Sequence, residues 1–292
     1  MGGGSYSYTR DLGTKLHNSS MSREEVFRQR QMNPEMNIKG KIRECRDSEE
    51  HHETLPIIIG LDVTGSMGAI PHRLVTQDFP NIMKKIMDAG IAHPQVCFIG
   101  IGDHECDSAP LQVGQFEASD ELLDTWLRKL YIEGGGGGNA GESYLLAWWF
   151  AARHTDIDSF AKRGQKGVLI TIGDEPTLRS ISKRDCDSIF GTSPQTPQIT
   201  ASQMLKEAQV MWNVYHVNVM DYAGVRSITQ ESWQEYLGDN LVNTQTSSGT
   251  DVADIIAGII IAASKSMQPT ASSTPVNEVD RDNTPDPATH LR

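Results

Sequence analysis

The sequence predicts a doubly wound α/β fold, a mostly parallel central sheet with helices on both faces. Three observations carry that expectation. Short apolar runs recur at 55–61, 95–101 and 167–173, the length of strands buried on both faces and too short for buried helices. Segments with helical spacing lie between them, the alternation that builds parallel sheets through crossover helices. Several runs also stop at an acid or a polar loop, so the polar chemistry must cluster along one edge of the sheet, where open α/β folds place their ligands.

Residues 1–54 read as a charged arm. Arg23, Glu24, Glu25, Arg28 and Arg30, then Lys39, Lys41, Arg43, Glu44 and Arg46, leave too few apolar residues for a core of its own. Ser22 and Glu25 have the spacing of a capping box for a short helix through Arg30. The composition reads as a solvated lead-in, with His51 and His52 as solvated residues; the alternative is a segment that wraps the domain or a partner.

The domain proper spans 55–265. The run from Leu55 ends at Asp62-Val63-Thr64-Gly65-Ser66-Met67-Gly68, and Ile70, Leu74, Ile82 and Ile86 then space a helix over 67–90. A second strand over 94–102 leads into Asp103-His104-Glu105-Cys106-Asp107. A third, over 111–116, suits a hairpin partner at a sheet edge. Ser119 starts a helix through Leu130. The loop Gly134 to Gly138, Asn139, Ala140, Gly141, Glu142 has the most unusual composition of the chain, and the helix after it, 143–154, is apolar nearly all round, so Trp148 and Trp149 belong to the core. The fourth strand, 167–173, ends at Asp174-Glu175-Pro176. Residues 178–200 read as polar and irregular, with one short helix near 182–189. A helix over 200–210 feeds a strand over 211–219, a short strand lies in 241–244, and Asp251 caps a helix whose apolar stretch is 255–263. Residues 266–292 read as a disordered tail.

Composition narrows the function. A hydrophobic content of 38% in 292 residues supports a sizeable core, and a formal net charge of −12 disfavours nucleic acid and anionic membranes as partners. No apolar run approaches the ~18 residues of a membrane span. Cys45, Cys97, Cys106 and Cys186 are scattered, and no apolar leader opens the sequence, an expectation of reduced thiols in the cytoplasm. Met1-Gly2-Gly3-Gly4-Ser5-Tyr6 falls short of a myristoylation signal because Tyr6 stands where Ser or Thr is needed.

Asp62, Thr64 and Ser66 alternate across one tight turn, so their oxygens can point to one side. A hard, all-oxygen set without thiolate or imidazole suits Mg²⁺ or Mn²⁺ rather than zinc. Helix capping is the plainer explanation, but capping does not require three spaced oxygens. One carboxylate cannot hold the ion, so further ligands must come from neighbouring strand ends, with Asn139, Glu142 and Asp174 as candidates.

These residues resemble a known family. Asp62-Val63-Thr64-Gly65-Ser66 is similar to the D-x-[ST]-x-S signature of von Willebrand factor type A domains, which have a Rossmann-like fold, and the likeness covers 55–265. It implies a metal-ion-dependent adhesion site in which Thr64 and Ser66 touch Mg²⁺ directly and Asp62 acts largely through water. A loop residue and a later aspartate complete the shell, and an acidic side chain of a protein partner fills the open position. Where the family often has a loop Thr, this chain is more similar to a bacterial, kinase-associated branch with G-G-G-D-x-P-E, which places Asn139 at the Asp and Glu142 at the Glu. Asp103-His104 is similar to that branch's R-D-H, and Asp174-Glu175-Pro176 resembles its D-A-P. The implied ligands are Asp62, Thr64, Ser66, Asn139 and Asp174, with Asp103, His104, Glu142 and Glu175 around them. A neutral Asn139 would hold the ion more weakly than Asp. Bacterial relatives often operate with MoxR-type AAA+ ATPases, which makes such an ATPase an expected partner.

Other classes fit less well. Asp62 after a strand resembles the haloacid dehalogenase phosphatases, but Thr64 stands in place of their second acid. Gly102-Asp103-His104 and Gly173-Asp174-Glu175 hint at a binuclear phosphoesterase, whose D-x-H and G-N-H elements are missing from this sequence. No nucleophile and base stand at motif spacing. A structural subunit with a degenerate metal site is the remaining alternative; the sequence favours a binding module over an enzyme.

Overall fold

The computed structural model describes residues 21–67, 69–133, 141–220, 226–245 and 252–266. The chain opens on helix α1 (Arg23–Val26), closed by the reciprocal bonds of a capping box: the Glu25 amide donates to Ser22 Oγ and the Ser22 amide to Glu25 Oε2. Strand β1 (Arg43–Cys45) follows, then β2 (Leu55–Asp62). The segment expected as one helix over 67–90 is interrupted: a 3₁₀ turn (Gly65–Met67), α2 (Ile70–Arg73), a π turn (Leu74–Asp78) and α3 (Phe79–Asp88). Pro80 has no amide to offer the carbonyl four residues back, and a widened turn absorbs the lost bond. Next come β3 (Pro94–Ile101), β4 (Leu111–Val113), α4 (Asp120–Leu127), α5 (Leu145–Arg153), β5 (Thr155–Ile157), α6 (Asp158–Arg163) and β6 (Gly167–Gly173).

The stretch 178–200, read from sequence as irregular with one helix, contains that helix, α7 (Lys183–Phe190), and also two strands. β7 (Ser180–Ser182) and β8 (Gln198–Thr200) pair antiparallel around it, too short for period-two patterning to reveal. The chain continues through α8 (Ala201–Met211), β9 (Trp212–Val219), α9 (Arg226–Leu237), β10 (Leu241–Thr244) and α10 (Val252–Ser266). Helix α9 was not anticipated: its polar composition hides its apolar anchors, Trp233, which is fully buried, and Leu237.

The main sheet has the order β10-β9-β6-β2-β3-β4, parallel throughout except for the edge strand β4. From β2 the chain first moves one way, to β3 and β4, then crosses back to β6 and moves the other way. The switch point lies between β2 and β6, where a crevice opens at the carboxyl ends of the strands. Alternation splits the sheet's side chains between two cores, as the pleat requires. Ile57, Ile59, Leu61, Val96, Phe98, Val168 and Ile170 face α3, α4 and α10. Ile58, Cys97, Ile99, Leu169 and Val214 face α5, α7, α8 and α9. Trp148 and Trp149 are buried in this second core, as their setting predicts.

Residues 21–54 are built into the domain, so the solvated reading does not hold for them. Val26, Met36, Ile38 and Cys45 are buried in the two cores, and β1 pairs in parallel with β5. His51, expected to be solvated, is buried with its ring 5.6 Å from that of His93. Charge fastens the segment: the Arg46 guanidinium joins Glu44, Asp156 and Asp158, and Asp47 accepts from Arg163 and Thr54. Burial alone would raise the Asp47 carboxyl, but those bonds hold it far below the usual carboxylate range. Because Ile38 sits in the core at 1% exposure, Ile38→Ala is expected to lower the unfolding free energy by about 2–4 kcal/mol in a single cooperative transition. A change under about 0.5 kcal/mol in denaturant unfolding would show the segment to be loosely attached.

Candidate metal centre

Asp62 is the last residue of β2, and the turn after it stacks three side-chain oxygens. Asp62 Oδ1 accepts from the Thr64 amide at 2.9 Å and from Thr64 Oγ1 at 2.6 Å. Thr64 Oγ1 lies 3.2 Å from Ser66 Oγ, and Ser66 Oγ donates to Asp174 Oδ1 at 2.9 Å. Asp174 follows β6 across the switch point, so two loops 108 residues apart in sequence meet there. The file of oxygens runs from a fully buried end at Asp62 to an exposed end at Ser66. Asn139 lies outside the described residues.

The remaining candidates stand around this file. Glu142 bridges to the loop after β6: its amide donates to the Pro176 carbonyl and its carbonyl accepts from Leu178, both at 2.9 Å. Asp103 Oδ1 accepts the Glu105 amide at 2.9 Å, holding the turn after β3. His104 is tied to Ser143, whose Oγ accepts the His104 amide at 2.8 Å and lies 2.7 Å from His104 Nδ1. That pair has the composition of a nucleophile and base, but Ser143 is fully buried, so its part is to lash the loop after β3 to the start of α5. The Glu175 carbonyl accepts from Trp233 Nε1 at 3.0 Å.

One contributor was missed from sequence. Tyr144 Oη donates to Asp62 Oδ2 at 2.6 Å, so both carboxylate oxygens of Asp62 are held in place. The tyrosine is fully buried, packed edge-on against His216 and Trp233, whose own rings stack at 3.6 Å. Gly173 makes room for it: a Cβ there would lie 1.7 Å from Tyr144 Oη. Nothing in the spacing of Glu142-Ser143-Tyr144 marks the tyrosine as part of the site, because its partner is 82 residues away in sequence.

Electrostatically the rim is crowded with acid. Burial, with the Asp174 charge in support, pushes Asp62 up to about 7 against the bonds from Thr64 and Tyr144. Burial raises Asp174, and it raises Glu175 with help from Asp174. Glu142 is pushed up to about 9 by burial and by the charges of Asp62, Asp103, Asp107 and Glu175. Buried oxygens of Glu142, Glu175 and Asp103 also lack a hydrogen-bond partner among the described residues. Carboxylates driven together, held by hydroxyls and left partly unsatisfied, fit a hard divalent cation. Among the described residues no three His, Cys, Asp or Glu side chains form a metal cluster by themselves, and the set that does converge is mixed: two carboxylates with two hydroxyls.

A doubly wound sheet whose central strand ends in Asp-x-Thr-x-Ser, faced by an aspartate across the switch point, resembles the arrangement of von Willebrand factor type A domains. Among solved structures, the chain is similar to the pilus adhesin SpaC from Lactobacillus rhamnosus GG in its open conformation, at 13% identity and a TM-score of 0.46 over 78% of this chain and 31% of that one. It is similar also to the vWF domain of the type V pili tip protein Mfa5 from Porphyromonas gingivalis, at 10% identity and 0.47, over 75% of this chain and 98% of that one. The third is a von Willebrand factor type A structure from Catenulispora acidiphila, at 10% identity and 0.42, over 74% and 43%. The chain thus spans about a third of the length of SpaC. No family model and no curated protein matches the sequence.

Proposed function

We propose that this domain is a protein-binding module that uses a Mg²⁺ or Mn²⁺ ion, held by Asp62, Thr64, Ser66 and Asp174, to capture an acidic side chain of a partner. Asn139 joins the ligand set in this reading, and Asp103, His104, Glu142 and Glu175 shape its surroundings. The observation that carries it is the unbroken contact of oxygens from Asp62 to Asp174 at the switch point. Bound there, the ion would supply positive charge that neutralises the buried acids and offers a coordination position to a carboxylate from outside.

Binding rather than catalysis is favoured by the side chains at hand. Among the described residues, the hydroxyl–imidazole pair at the rim, Ser143 with His104, is sealed from solvent at its serine. A metal-dependent phosphohydrolase is the second reading, tested by turnover of a phosphoester panel. A MoxR-type AAA+ ATPase is the partner class we put forward, on resemblance alone, and a cytoplasmic setting belongs to the same proposal, supported by four free thiols. Among the described residues no helix is long and apolar enough to cross a membrane.

The test is thermal. Millimolar Mg²⁺ or Mn²⁺ is expected to raise the melting temperature by about 5–11 °C, the effect of ligand near a hundredfold over Kd on a domain this size. Asp62→Ala is expected to remove that rise while keeping the circular dichroism spectrum. An equal rise in the variant would end the proposal. EDTA is then expected to release a captured partner in a pull-down.

A further inference from the structure

Beside the rim, a cavity of about 260 Å³ opens between the loop after β3, helix α7 and the segment near Met32. It is smaller than the roughly 300–1,000 Å³ of small-molecule sites, the size of a single long side chain. Its polar wall carries two half-buried carboxylates from different elements, Asp107 and Asp185, with the Ser188 hydroxyl beside them. Its apolar wall is Met32, Leu111 and Ile189, and among the described residues no lysine or arginine lines it. Both carboxylates are held at one oxygen: Asp107 Oδ2 accepts the Asp103 amide at 2.8 Å, and Asp185 Oδ2 accepts Ser182 Oγ at 2.6 Å. Each therefore keeps acceptor capacity for a further donor.

An aliphatic stem bordered by apolar side chains, ending in a planar head with donors diverging toward two acids, is the chemistry of arginine. The cavity also adjoins the proposed metal centre, because His104 lines it and is bonded to Ser143, next to Glu142. We propose that this cavity receives an arginine side chain of the protein partner whose acid reaches the metal. This rests on the binding-module reading for the partner but not for the cavity's own chemistry. An acid and an arginine presented together would fix the orientation of the partner as well as its affinity.

The test uses N-acetyl-arginine amide as probe, with its neutral analogue N-acetyl-citrulline amide and with N-acetyl-lysine amide, titrated into the full chain in EDTA and followed by amide NMR shifts. The arginine probe is expected to saturate at roughly millimolar Kd, as weak single-side-chain ligands do, moving amides at 104–111 and 185–189. The lysine probe is expected to bind more weakly and the citrulline probe not to saturate. Asp107→Asn and Asp185→Asn, each retaining a carbonyl for the bond it now accepts, are expected to weaken the arginine probe roughly three- to tenfold, as loss of a hydrogen bond of ordinary strength at a half-exposed site does. Equal binding of citrulline, shifts elsewhere, no saturation, or no change in either variant would overturn the proposal. Because no metal is present, its failure is separable from that of the thermal test with Mg²⁺.

Discussion

Gly173→Ala is expected to lower the melting temperature by about 2–12 °C and to abolish the response to Mg²⁺, although the residue has no side chain of its own. Its Cβ would stand 1.7 Å from Tyr144 Oη and 2.6 Å from Cζ, distances that no rotamer adjustment within a packed core absorbs. The tyrosine is confined by His216 and Trp233, so it must move as a ring, and with it goes the bond to Asp62 Oδ2. Overpacking of this kind costs about 1–3 kcal/mol; at roughly 2–4 °C per kcal/mol for a domain this size, that gives the stated range. Tyr144→Phe separates the two effects. It removes the hydroxyl and the worst contact while the ring carbons remain. The double variant is therefore expected to lose less stability than the sum of the two single ones, a coupling read from a double-mutant cycle. A Gly173→Ala protein with wild-type melting temperature and Mg²⁺ response would show that Tyr144 does not hold Asp62.

The second expected result concerns pH. In EDTA, Asp62→Asn is expected to be more stable than the wild type at pH 8, and by less than half as much at pH 5. The sign follows from linkage. The folded-state value of Asp62 is raised from 3.8 to about 7. Between those values the unfolded chain has given up the proton and the folded chain keeps it, so the unfolded state binds fewer protons and stability falls as pH rises. By pH 8 the buried charge costs on the order of 4 kcal/mol at most, at 1.36 kcal/mol per pH unit. Asn removes that cost. Its amide can keep the bonds from Thr64, and the Tyr144 hydroxyl can turn to accept.

Comparing variant with wild type at each pH is necessary because His216, held neutral by burial, acts in the opposite direction. It must take up a proton on unfolding in acid, which lowers stability as pH falls, and this contribution cancels in the difference. Mg²⁺ is expected to stabilise the wild type strongly at pH 8 and weakly at pH 5, where it competes with protons for Asp62, and to leave Asp62→Asn nearly unmoved at both. Melting curves of the two proteins in EDTA and in Mg²⁺ at the two pH values decide it; a wild type as stable as the variant at pH 8 in EDTA would remove the electrostatic argument.

Much of the architecture was legible because burial on both faces leaves an unmistakable record. The continuous runs Ile57-Ile58-Ile59 and Val168-Leu169-Ile170 could only be central strands, and Ser119 and Thr200 mark helix starts by the hydroxyls that accept from the third residue along. Two kinds of element escaped. β7 and β8 are three residues each, below the length at which alternation is visible. Helix α9 and the segment 21–54 are mainly polar or charged and anchored by a few residues, Trp233 and Leu237 in one and Val26, Met36 and Ile38 in the other. Composition averages such anchors away, whereas packing depends on them.

What the sequence determined by itself was the local chemistry: Asp62, Thr64 and Ser66 share one turn because three residues at alternate positions cannot be far apart, whatever the rest of the chain does. Only the tertiary structure decided that Asp174 meets Ser66, that Tyr144 grips the far oxygen of Asp62, and that Asp107 and Asp185 face one cavity. Those meetings depend on the order of strands in the sheet and on how closely β6 lets α5 approach. Neither is written in spacing along the chain, since each pair is joined through space by the packing of elements distant in sequence.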